Sequence, residues 1–273
     1  MDIWKLRGRD LKLTKSPLIM GILNVTPDSF SDGGKFDSYD KAMKHAEEMI
    51  SQGAAIIDIG GESTRPGAAK VGEAEELERV VPIVEGIVKN FDTVISVDTY
   101  KSKVAEETLK AGAHIINDIY GFLKDGNMAP VAKAYDAGIV LMANAELRTD
   151  DSDIITYAEA HLNKSLKLCH DEGITDDHIL IDPGVGFHTT REEDLKLIRD
   201  FKYGDNTLLG VSRKRIVAHL LDRETNASER AAGSVGLALA GASKGARVIR
   251  VHDVLETRDA LKTYAAVMFG END

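Results

Sequence analysis

The sequence predicts a (β/α)8 barrel, and three observations carry that prediction. Eight short runs rich in Ile, Val and Leu recur at 18–24, 54–60, 93–98, 114–119, 139–144, 178–182, 207–212 and 248–252. They lack polar alternation, as strands covered on both faces of a parallel sheet do. Between them lie stretches with helical spacing and charged faces, including Tyr39–Gln52, Glu73–Asn90, Lys101–Ala111 and Ile154–Glu172. Eight such units over about 250 residues suit this barrel in count and in length. A doubly wound open sheet is the competing architecture, but it rarely needs eight units of such regularity.

The first fifteen residues, MDIWKLRGRDLKLTK, precede the first run and are expected to form a small lid under the barrel's N-terminal face. The first run stops at Asn24. A polar stretch then carries Asp28 and Asp32 and ends in Gly33-Gly34, where a helix could have begun directly. The later runs end in Asp58 with Gly60-Gly61-Glu62, Asp98, Asn117-Asp118, Asn144, Asp182, Ser212-Arg213-Lys214, and Arg250 with His252. A barrel interior filled only for stability would end in Val, Ile or Leu. Each polar terminus alone reads as a turn or a cap. Together they point to a ligand-sized polar site at the C-terminal mouth, where this fold keeps its chemistry. No linker, repeat or composition break divides the chain, so one domain over residues 1–273 is expected.

Composition narrows the function classes. The formal net charge is −11 and there is no dense Lys/Arg block, which argues against nucleic acid as a partner. No apolar run approaches the roughly 20 residues of a membrane span, and the N-terminus is too polar for a secretory signal. One cysteine, Cys169, precludes an internal disulfide and fits packing in a reducing, cytoplasmic setting.

The polar termini are of two kinds. Asp98, Asn117 and Asp182 come from three different strands and suit a flat heterocycle edged with N–H donors. Arg65, Arg213, Lys214, Arg250 and His252 form a cationic set that suits a phosphate-bearing anion.

At these residues the sequence resembles the dihydropteroate synthase family, from Pro17 to Phe269. The matching motifs are Asn24 to Gly34 (NVTPDSFSDGG), Gly61 to Gly67 (GESTRPG), Ser96-Val97-Asp98-Thr99, Asn117-Asp118, Asp182-Pro183-Gly184 with Gly186-Phe187, Ser212-Arg213-Lys214, and Arg250 to Val254 (RVHDV). The resemblance implies condensation of 6-hydroxymethyl-7,8-dihydropterin pyrophosphate with p-aminobenzoate, giving 7,8-dihydropteroate and pyrophosphate with Mg2+ as cofactor. It assigns the pterin to Asp98, Asn117, Asp182 and Lys214, with Met142 packing nearby. Pyrophosphate falls to Asn24, Thr64, Arg65, Arg250 and His252, with Asn24 also facing the metal. Arg65, Pro66, Phe187 and Lys214 would border the p-aminobenzoate pocket, where Arg215 can attract a carboxylate. Lys214, Asp32, Arg65 and Phe30 are the expected catalytic groups. On that chemistry the stretch after the first run reads as a closing lid: Phe30 an aromatic wall, Asp32 a charge for a pterin cation, the glycine pair a hinge.

The chain departs from the family pattern at Ala143-Asn144-Ala145, where His-x-Arg is usual, and at His188-Thr189-Thr190 and Arg215. The first departure is expected to leave a solvated rim and a loose Glu146–Asp153 loop. A pterin-binding paralogue without condensation activity and a pterin-dependent methyltransferase are the alternatives. Small residues across Ala227–Ala246, together with the family's usual dimer, lead to the expectation of a homodimer.

Overall fold

The structure, a computed structural model, describes residues 2–26, 35–64, 67–223 and 225–270, the side chains of 35–37 excepted. The expectations for Phe30, Asp32, Arg65 and Pro66 lie outside the described residues. A short hairpin, β1 (Ile3–Trp4) with β2 (Leu11–Lys12), opens the chain. Eight parallel strands follow: β3 (Leu18–Asn24), β4 (Ile56–Gly60), β5 (Val94–Asp98), β6 (Ile115–Asp118), β7 (Gly138–Met142), β8 (Ile179–Asp182), β9 (Leu208–Leu209) and β10 (Val248–Val251). Their hydrogen-bonded order is β8-β7-β6-β5-β4-β3-β10-β9. A parallel bridge between Ile181 and Thr207 closes the ring. The helices are α1 (Lys35–Ser51), α2 (Glu73–Asn90), α3 (Ser102–Ala111), α4 (Met128–Ala134), α5 (Ile154–Asp171), α6 (Arg191–Asp200), α7 (Arg215–Leu221), α8 (Ala231–Lys244) and α9 (Val254–Phe269). This is the (β/α)8 barrel that the eight runs predict.

Strand side chains alternate between faces, so residues two apart share one. Met20, Ile56, Val94, Ile115, Val140, Leu180, Leu208 and Val248, one per strand, form a single apolar cluster inside the ring. Trp4, Leu6 and Leu13 of the N-terminal segment join it from below, which makes that segment the expected lid. Trp4 is fully buried and its indole N–H donates to the His178 carbonyl at 2.9 Å. Trp4→Ala is therefore expected to cost about 3–5 kcal/mol of stability, read as a lower urea midpoint.

Two residues further along the same face stand Ile22, Asp58, Ser96, Asn117, Met142, Asp182, Gly210 and Arg250. The interior thus changes from an apolar plug to a mostly polar ring within one step of the pleat. Outside the ring, a second apolar cluster joins strands to helices and includes Cys169, which is buried and unpaired.

Two strands end more than one residue short of the sequence expectation. β9 ends at Leu209, not at Ser212, because backbone pairing with β10 stops at the Leu209–Ile249 pair. Beyond it the Ser212 hydroxyl, not a backbone carbonyl, accepts the His252 N–H at 3.1 Å. β7 ends at Met142, and the two residues after it do not form a solvated rim. Ala143 and Asn144 are buried. The Asn144 amide donates to the Ile119 carbonyl at 3.1 Å and its oxygen accepts the Glu146 N–H at 3.0 Å. Tyr157 on α5 donates to the Asn144 carbonyl at 2.6 Å, and Arg148 pairs with Glu193 at 2.6 Å. Gly184 also needs its own lack of a side chain here. At φ +83° a Cβ on it would lie 1.8 Å from the Ala143 carbonyl oxygen.

Candidate functional site

The polar ring is held by one cation among three acids. Arg250 on β10 reaches across the barrel, donating from Nε to Asp58 Oδ2 at 2.6 Å and from Nη2 to Asp98 Oδ2 at 2.7 Å. The Asn117 amide donates to the same Asp58 oxygen at 3.1 Å. Asp58 is fully buried, and its other oxygen has no protein partner among the described residues; nor does the Ser96 hydroxyl. Burial raises Asp98 to about 7, with Asp58 adding to the shift and the Arg250 guanidinium opposing it. Burial likewise raises Asp182. Asp182 Oδ1 accepts the Gly184 N–H at 2.8 Å, which fixes the carboxyl at the strand exit.

Lys214 closes this ring from the loop after β9. Its ammonium donates to the Val185 carbonyl and lies 4.5 Å from the centre of the Phe187 ring. Its stem crosses Gly186, where a Cβ would approach Lys214 Cδ to 2.9 Å. Burial pulls Lys214 down to about 8, a fall that Asp182 resists and Arg250 reinforces. Asp194 on α6 holds the loop beneath, its Oδ1 accepting the Gly186 N–H at 2.7 Å and the Thr189 hydroxyl at 2.5 Å.

Above the ring opens a cavity of about 540 Å³ whose walls include Asn24, Thr64, Asp98, Phe187, Lys214, Arg215, Arg250 and His252. Asn117 and Asp182 lie in the polar ring below, and Met142 belongs to an apolar cluster with Ile119 and Tyr120 against which Phe187 packs. The described residues among the sequence candidates thus converge on one mouth. Two of its cations are already engaged: Arg250 as above, and Arg213 by Asp253 at 2.5 and 3.1 Å. Asp58 and Asp194 are the site residues that sequence reasoning left without a role. The signal for Asp58 was its place two residues beyond Ile56, one step along the inward face.

Among the described residues, no cluster of three or more His, Cys, Asp and Glu side chains could hold a metal ion. A Cβ on Gly60 would stand 3.7 Å from Asn24 Oδ1 and 3.9 Å from Asp98 Oδ2, which places both side chains beside the end of β4. The Asn24 amide oxygen is a hard oxygen donor of the kind Mg2+ takes, a metal that keeps several waters and finds further ligands on phosphate oxygens.

Comparison with known proteins places these features in context. Residues 20–252 match a family model described as pterin binding enzyme. A dihydropteroate synthase of Bacillus subtilis (strain 168) is 46% identical over 262 residues, covering 94% of this chain and 91% of that protein. A Xanthomonas albilineans dihydropteroate synthase with 4-aminobenzoic acid superimposes with a TM-score of 0.90 at 36% identity, over 98% of this chain and 99% of the other. A Burkholderia cenocepacia dihydropteroate synthase complexed with 7,8-dihydropteroate gives a TM-score of 0.86 at 35% identity, over 97% and 96% of the two chains.

Proposed function

This chain belongs to the pterin-binding enzyme family, among its dihydropteroate synthases, and we propose that its barrel mouth divides the two substrates between the acidic ring and the cationic wall. The reaction condenses 6-hydroxymethyl-7,8-dihydropterin pyrophosphate with p-aminobenzoate to 7,8-dihydropteroate and pyrophosphate, a transfer step of folate synthesis. The observation that carries the division is the stacking of a buried acid and amide ring beneath a cavity walled by Lys214, Arg215, Arg250 and His252.

In this reading the N–H edge of the pterin meets Asp98, Asn117 and Asp182, with Met142 and Phe187 against its ring. Lys214 touches the pterin from the side on which the arylamine arrives. The pyrophosphate lies toward Asn24, Thr64, Arg65, Arg250 and His252. The p-aminobenzoate lies between Phe187 and Lys214, bordered by Arg65 and Pro66, its carboxylate toward Arg215. Asn24 would hold Mg2+, which when bound supplies charge to stabilise the departing pyrophosphate. Phe30 and Asp32, on the stretch after β3, would exclude water and face the pterin cation.

Incubating the protein with both substrates and Mg2+ tests the reading. Pyrophosphate release that depends on p-aminobenzoate supports it; binding of the pterin without release would favour an inactive paralogue.

We also propose that the chain acts as one domain, in the cytoplasm, and as a homodimer through α8 and α9. Ala232 and Gly236 are exposed on α8, with nothing within 4 Å of the Gly236 Cβ position. On α9, Val267 and Met268 are 84% and 56% exposed. Light scattering at micromolar concentration is expected to give twice the chain mass of 29.7 kDa; a monomer mass would end this proposal.

A further inference from the structure

The loop after β4 carries Glu62, Ser63 and Thr64 along the cavity wall. A negative carboxylate therefore stands beside the space assigned to the pyrophosphate. One cation faces it, and neighbouring groups hold the loop. Lys101, at the start of α3, ion-pairs with both Glu62 and Glu76, the latter on α2. The Tyr100 hydroxyl lies 3.1 Å from each Glu62 oxygen. Arg79 donates to the neighbouring Gly61 carbonyl at 2.7 Å. The group is enclosed: Lys101, Glu62 and Glu76 side chains are 12%, 10% and 1% exposed. A buried acid on α2 is costly unless it has a structural task, because an ion removed from water must be offset by its partner. Its task here is to share Lys101 with Glu62, which fixes the loop from behind.

We propose that Lys101 is a positioning residue for the pyrophosphate half of the site. It holds the Glu62 carboxylate against α2 and Tyr100, fixing Ser63 and Thr64 on the wall and countering the charge of an acid beside an anionic substrate. This rests on the assignment of the cavity to a pterin pyrophosphate. Without Lys101, Glu62 would present an uncompensated charge in a poorly screened site.

The test compares the native protein with Lys101→Gln, Lys101→Arg and Tyr100→Phe, each checked for a cooperative melting transition well above the assay temperature. The probes are inorganic pyrophosphate with Mg2+ and, separately, 7,8-dihydropteroate, with KM measured for both substrates. Lys101→Gln is expected to weaken pyrophosphate binding about tenfold, because the Glu62 charge then stands uncompensated beside the anion. The KM for the pterin pyrophosphate should rise alike, while 7,8-dihydropteroate affinity and the KM for p-aminobenzoate hold within about twofold. Lys101→Arg should restore most of the loss. Tyr100→Phe, which removes one hydroxyl and no charge, should shift the same quantities by a smaller factor. It carries the test should Lys101→Gln not fold. Parallel losses for both ligands, or unaltered pyrophosphate binding in the folded variants, would overturn the proposal. A native protein that forms no 7,8-dihydropteroate would count against the functional assignment, leaving the Lys101–Glu62 geometry to be judged on pyrophosphate binding alone.

Discussion

Replacing Lys214 with Ala is expected to lower kcat/KM by roughly 10²–10³ and to weaken both substrates. The reason is position: the side chain borders Phe187, lies above the Gly184–Phe187 loop and faces Asp182 from within the cavity. Its titration adds a second readout. Burial lowers Lys214 to about 8 and raises Asp98 to about 7. The charged lysine is lost above the first value and the charged aspartate below the second. A bell-shaped kcat/KM profile with its maximum between about 7 and 8 follows, its limbs belonging to the coupled group of ionisable side chains. Stability carries the opposite sign. A lysine with a depressed folded-state pKa binds its proton more readily in the unfolded chain. Its penalty is complete below about 8 and disappears as pH rises toward the ordinary lysine value. Lys214→Met should therefore melt higher than the native protein at pH 7 while being inactive. Near-normal activity in Lys214→Ala, or a lower melting temperature in Lys214→Met, would refute this account.

Arg250→Met should have the largest combined effect. The guanidinium is the shared partner of Asp58 and Asp98, and Asp58 is fully buried with one oxygen already lacking a protein partner among the described residues. Removing one member of a buried ion pair costs about 3–5 kcal/mol, because the other charge remains without compensation. A lower urea midpoint is expected. Pterin affinity should fall with it, since Asp98 loses the contact that orients its carboxylate. Arg250→Met with Asp58→Asn should recover part of the stability but not the activity. A single variant as stable as the native protein would refute the pairing of Arg250 with Asp58 and Asp98 as a source of stability.

The sequence by itself determined the barrel, its eight strands within a few residues, the lid beneath it and the polar ends that make the mouth. Those properties rest on local periodicity, and a strand buried on both faces declares itself in a continuous apolar run. It also determined the family, through motifs that keep their residues in order along the chain. Only the tertiary structure decided how the charges are shared. That Arg250 lies between Asp58 and Asp98 depends on contacts 192 and 152 residues apart in sequence, which no local pattern contains. That Ala143 and Asn144 are buried and pinned, not a solvated rim, follows from α5 and the loops after β6 and β8 packing onto them. Ring closure brings strand ends together whatever their distance along the chain, and it is closure that turns eight separate polar termini into one electrostatic unit.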